Sequence, residues 1–160
     1  MNRGQILGQV FILILASLIF ILILVYGYKA IGQFSNRSEQ IALIDFQNNL
    51  ANAVKAISLD FGSVKRLDLT VPSRYQQLCV LCTNSQICAP SDTFAQAHPL
   101  LVESWQGGSQ NVFLVPLSET PILLERVEAK DGAFCTPFIQ GKVSLRLEGK
   151  GDHTYIGPWT

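Results

Sequence analysis

No basic run, no glycine-rich phosphate loop and no excess of either charge marks this chain of 160 residues. Its Lys and Arg number 12, its Asp and Glu 12, and the formal net charge is zero. A surface without clustered cations is poorly suited to a phosphate backbone, so nucleic acid is not an expected partner. Histidine occurs only at His98 and His153, each in a segment that reads as loop or turn. Neither has a nucleophile or carboxylate partner evident in the local pattern, and both are expected at the surface. A metalloprotease helix and a nucleophile elbow are also missing. The chain therefore nominates no catalytic residue, metal ligand or cofactor, and it does not read as an enzyme.

Charge is also missing from the whole stretch between Arg3 and Lys29. From Ile6 to Tyr28 the chain holds 16 Leu, Ile, Val or Phe residues, interrupted only by small, amide or tyrosine side chains. Each such aliphatic or Phe residue favours insertion at a bilayer centre by roughly 0.3–0.6 kcal/mol, so the sum exceeds the cost of Gln9, Ser17 and the glycines. About 23 residues at 1.5 Å each reach roughly 34 Å, enough to cross a hydrocarbon core of about 30 Å. A cleavable secretory signal, cut near Ala30-Ile31-Gly32, is the competing reading, but this apolar run exceeds the roughly 7–15 residues of a signal core. Arg3 on one side and Lys29 and Arg37 on the other leave orientation undecided by the positive-inside rule.

Cysteine is absent until Cys79; Cys82, Cys88 and Cys135 follow. Four cysteines behind a membrane-directed segment suit an oxidising exterior. Two disulfides are the first reading, with three connectivities open. The Cys79-x2-Cys82 spacing also admits a four-thiolate zinc site or a redox pair, although the distant Cys135 and the apolar Val80-Leu81 favour neither. Asn36-Arg37-Ser38 is a glycosylation sequon, so Asn36 is a candidate modification site.

Beyond the span, Leu43, Phe46, Leu50, Ala53, Val54, Ile57 and Phe61 recur at helical spacing and predict one apolar stripe. Gly62-Ser63 is the expected stop. Between span and stripe, residues 32–38 are poor helix formers and allow a kink, a frayed turn or a break. From Val64 the period becomes two. Strands are predicted around 67–71, 77–81, 111–115, 122–128, 134–139, 143–147 and 154–156, with 83–101 as a cysteine-held loop containing at most a short helical turn. The fold class expected is α+β. A long N-terminal helix, membrane-spanning in its first half and amphipathic in its second, packs on an antiparallel β-rich head.

Arg3-Gly4-Gln5, followed at once by the apolar helix, resembles a type IV prepilin leader, most closely the archaeal kind also seen in archaellins. In that family a peptidase cuts after the glycine that follows a basic residue, and the apolar segment stays on the mature protein. The resemblance implies cleavage between Gly4 and Gln5. It implies a division into leader (1–4), membrane or filament-core helix (5–28), amphipathic continuation (29–62) and extracellular β-rich head (63–160). It further implies a surface-filament subunit whose helix, carrying Gln9, Phe11, Leu15, Leu18 and Leu22, meets first the membrane and then copies of itself. A prepilin peptidase and a filament assembly machinery would be its other partners. Many bacterial pilins carry glutamate at the fifth mature position; here that residue is Gln9, which lacks charge-assisted bonding to an amino terminus. The alternative expectation is a single-pass anchored extracellular binding protein that does not polymerise.

Overall fold

The computed structural model describes residues 3–83, 86, 88–118 and 120–159, with the backbone alone for 3–9 and 31–36. The fold is α+β, with an apolar N-terminal helix and mostly antiparallel sheets. The chain divides into two compact units, Met1–Ile41 and Ala42–Thr160. Helix α1, Arg3–Ser58, accounts for the described residues of the first and opens the second. Residues 32–38 stay helical despite their composition, because propensity differences amount to only a few tenths of a kcal/mol per residue.

In the second unit, strands β1 (Val64–Thr70), β6 (Lys142–Gly149), β7 (Thr154–Pro158) and β4 (Val127–Ala129) form one sheet in the order β1-β6-β7-β4. The second sheet is β3 (Val112–Val115), β2 (Gln77–Leu81) and β5 (Ala133–Pro137), in the order β3-β2-β5. Every pairing is antiparallel except β4 with β7, which run parallel from Val127↔Thr154 to Ala129↔Ile156. An all-antiparallel arrangement was expected; β4 departs from it because it joins an edge that β7 leaves open.

The helical stripe folds as its spacing predicts over most of its length. Leu43, Phe46, Leu50, Ala53, Val54 and Ile57 are buried in one core with Leu69, Val143, Leu145, Leu147 and Ile156. Burying a Leu or Phe side chain stabilises by about 1.5–3 kcal/mol, so this face holds α1 to the sheet. Phe61 is the exception, at 82% exposure. The helix ends at Ser58, four residues before the expected boundary at 62, and the Asp60 amide turns back to the Ile57 carbonyl at 3.0 Å. Gly62 then takes a positive φ of 79° and leads into β1. Gly149 lies so close to the Ile57 and Asp60 carbonyls that any Cβ there would collide with both.

From Leu78 to Leu81 strand β2 is apolar because it is covered on both faces. Leu78 and Val80 enter the core with α1, whereas Cys79 and Leu81 pack with Leu101, Trp105 and Phe113. Leu101 and Trp105 lie on α3 (Pro99–Gln106), which follows α2 (Asp92–Ala97). Two helices thus occupy 92–97 and 99–106, so the later part of 83–101, expected as a loop with a short helical turn, is mostly helical. The local signals are Ser91, whose hydroxyl accepts from the Phe94 amide, and Pro99 opening α3. Trp105 Nε1 donates to the Cys82 carbonyl at 2.7 Å.

The expected strand 122–128 is mostly irregular. Ile122 makes a single bridge to Val112, and Leu124 is held by the buried Asn111 side chain, which accepts from its amide at 2.7 Å and donates to its carbonyl at 3.0 Å. Arg126 then takes a φ of 54°, which breaks the extended run before β4.

Candidate functional site

An extended run of exposed apolar side chains lies on the first unit. Within α1, Val10–Ala30 forms 21 residues apolar enough to cross a membrane, none of them buried. At 1.5 Å per residue this covers about 31 Å, matching a hydrocarbon core. Phe11, Leu15, Leu18 and Leu22, all expected to face lipid or neighbouring copies, are exposed, from 46% at Leu15 to 65% at Phe11. Apolar side chains also point outward on the other faces, including Ile12, Ile14, Phe20 and Ile23. Such a helix suits a medium that is apolar all round. Ser17, the one serine of the span, donates to the Ile14 carbonyl at 2.8 Å, so its hydroxyl presents no unpaired hydrogen to that medium, and the phenols of Tyr26 and Tyr28 stand near the end of the span. Arg3, Gly4 and Gln5 lie in the helical backbone, but their side chains and those of Gln9 and Asn36 fall outside the described residues.

All four cysteines are paired, Cys79 with Cys135 and Cys82 with Cys88. Cys79 and Cys135 stand directly opposite each other on β2 and β5, with Cα atoms 4.0 Å apart. Cross-strand neighbours of this kind are the closest in a sheet. The Cys-x-x-Cys pair is not bonded to itself, because Cys79 faces β5 while Cys82 has left the strand. No free thiol remains among the four, so the zinc and dithiol readings give way to two disulfides.

A polar cluster absent from the expectations lies at the β6–β7 turn. His153 Nε2 is 2.8 Å from the Glu128 carboxylate on β4, and its Nδ1 is 2.6 Å from Asp152. Partial burial lowers the His153 pKa, but hydrogen bonds from the ring to Glu128 and Asp152 outweigh it, and the net shift is upward from 6.5. With a carboxylate at each nitrogen the ring is suited to carry both protons. The expectation that no local carboxylate partners His153 is corrected here, because Asp152 is its neighbour in the chain; Glu128 reaches the ring through the parallel pairing of β4 with β7. His98 lies 3.9 Å from the Cys135 sulfur and stacks against Phe94 at 4.9 Å, on a separate part of the unit. The two histidines do not form one site.

An open groove of about 370 Å³ runs between α1 and the 123–126 segment, lined by Lys55, Ser58, Glu125 and Arg126. The described residues contain no group of three His, Cys, Asp or Glu arranged to hold a metal ion.

No protein-family model matches the chain, and neither curated proteins nor solved structures give a match.

Proposed function

We propose that this chain is a pilin-like structural subunit of a cell-surface filament, held in the membrane by its N-terminal helix until it assembles through that same helix. The observation that carries the reading is the apolar surface of α1 from Val10 to Val25, free of charge and exposed on every side. A soluble monomer rarely leaves so large a contiguous apolar area uncovered. Lipid tails or a bundle of like helices both satisfy it, so transfer from one to the other has little hydrophobic cost, and close packing selects the bundle. Arg3-Gly4-Gln5 supports maturation by cleavage after Gly4. Gln5 to Tyr28 then forms the span, the rest of α1 continues it into the head, and residues 63–160 face the exterior. Two disulfides support that side, because they persist in oxidising compartments. The reading assigns no reaction to the head.

Mass spectrometry of the mature chain tests it, with Gln5 as the expected first residue. Arg3→Ala or Gly4→Leu should block maturation and abolish surface filaments while leaving the head disulfides formed. A mature start at Met1 or Asn2 would support a plain anchored binding protein instead. A start at Gln33 would mean a secreted head and end the filament reading.

A further inference from the structure

Strand β1 is an edge strand, bonded to β6 on one side only. Its bonding phase follows from its two ends. The Gly149 amide donates to the Ser63 carbonyl, and the Val71 amide to the Gly141 carbonyl, each at 2.9 Å. Alternation along an antiparallel ladder therefore turns the backbone groups of Lys65, Leu67 and Leu69 toward β6. The other side of β6 agrees, since the Trp159 amide donates to the Ser144 carbonyl at 3.0 Å and even-numbered β6 residues serve β7. The N–H and C=O groups of Val64, Arg66, Asp68 and Thr70 consequently point off the open edge. None has a backbone partner among the described residues.

Charges on an edge ordinarily discourage strand addition. On β1 they are self-complementary. A second copy laid antiparallel about a two-fold axis through Leu67 sets Arg66 opposite the copy's Asp68, and Asp68 opposite the copy's Arg66. Val64 then meets Thr70, and all four outward-facing residues meet outward-facing residues. A slip of two residues brings Arg66 against Arg66 in one direction and Asp68 against Asp68 in the other. A slip of one sets outward-facing backbone groups against inward-facing ones. One register is singled out.

The side chains are already arranged for it. Arg66 and Asp68 lie 2.9 Å apart on the exposed face, with Ser144 2.5 Å from Asp68 and Arg66 5.7 Å from the Trp159 ring. The opposite face shares the complementarity. There the copy's Lys65 comes opposite Leu69, beside a groove of about 260 Å³ to which α1 contributes Asp45 and Asn49. A cation there has one carboxylate, Asp45, to approach.

From these placements we infer that β1 is a self-association edge, through which two copies of the chain join antiparallel into one continuous sheet. The inference concerns the second unit and does not depend on the filament reading.

Energy transfer between donor- and acceptor-labelled full-length chains in detergent micelles tests it. The unmodified chains should mix and show transfer. Arg66→Asp alone and Asp68→Arg alone should each weaken association at least about tenfold, because like charges directly opposite are destabilising. Mixing the two variants should restore transfer, since every pair across the axis is again of opposite sign. Should a charge variant fail to fold, Thr70→Pro removes an off-edge donor without touching the β6 ladder and should weaken transfer similarly. Equal transfer in all preparations would place the association elsewhere, in the apolar helix, and overturn the inference. No transfer in the unmodified chain, or a mixture no better than either variant alone, would overturn it as well.

Discussion

The imidazole of His153 bridges to the carboxylate of Glu128 at 2.8 Å, tying the turn before β7 to the short parallel strand β4. Three residues of β4 pair with β7, and this bond adds a side-chain tie to that short ladder. The folded His153 pKa lies above 6.5. A raised pKa stabilises fully below the unfolded value, and the stabilisation is lost as pH rises through the folded value. The expected size is below about 1 kcal/mol, because the pair is partly open to solvent. Melting curves between about pH 5.5 and 8.5 should show a decline on the alkaline side that His153→Gln removes. An identical decline in the variant would assign it to other groups. On the acid side the sign reverses. Asp68, Glu148 and Asp152 are all held below the usual carboxylate range, chiefly by hydrogen bonds from Ser144, Lys150 and His153 respectively. Their contribution is lost as pH falls.

Reduction should be unequal in its effect on stability. The Cys79–Cys135 bridge closes a separation of 56 residues, the Cys82–Cys88 bridge only 6. The chain-entropy relation gives about 4 kcal/mol for the first and about 2 kcal/mol for the second. Denaturant unfolding of Cys79→Ser/Cys135→Ser against Cys82→Ser/Cys88→Ser measures both. The intact protein should weigh about 4 Da less than the fully reduced form, two hydrogens per bridge. Four alkylatable thiols in the unreduced protein would reject the pairing.

Core and surface positions on α1 should separate sharply. Phe46→Ala should cost about 3–5 kcal/mol and Leu50→Ala about 2–5 kcal/mol, since both side chains are buried in the common core. Ile44→Ala, exposed two residues before Phe46, should change unfolding free energy by less than about 0.5 kcal/mol. Chemical denaturation followed by tryptophan fluorescence supplies the comparison. Equal losses at Ile44 and Phe46 would reject the assigned packing face.

Gly149→Ala should be as severe as a core deletion although it removes nothing. Its Cβ would strike the Ile57 and Asp60 carbonyls, and backbone on both sides leaves no room to yield. An unaltered midpoint in thermal unfolding would contradict that geometry.

A single charge in the apolar helix tests the membrane half of the proposal. Leu18→Arg replaces a favourable residue by one costing about 2.5–3.5 kcal/mol at a bilayer centre. Alkaline extraction of membranes should release far more of this variant than of the unmodified chain. Equal retention would argue against a spanning helix.

The elements governed by a simple period were legible in the sequence. Leu43 to Ile57 at helical spacing, and Val143, Leu145 and Leu147 in alternation, each has one face to bury and buries it. Phe61 fits the same spacing yet lies outside, because periodicity does not register where a chain stops being helical. The segment 122–128 reads as a strand by composition, but the left-handed backbone at Arg126 and the bonds from Asn111 are decided by neighbours distant in the chain. Disulfide connectivity was hidden for the same reason: strand register, invisible locally, sets Cys79 opposite Cys135. Glu128 joins His153 only through a pairing between strands separated by two others in sequence.

The end of α1 is fastened to the β6–β7 hairpin rather than to the strand that follows it. Thr154 Oγ1 donates to the Val54 carbonyl at 2.9 Å, and the Gly151 amide donates to the Ser58 carbonyl at 3.0 Å. Under tension applied through residues 42–58, load passes directly into the middle of the sheet, and β1 is spared from being peeled away. Resistance to such a pull would come from there, where the Thr154 and Gly151 bonds must yield together before the helix end comes away from the sheet.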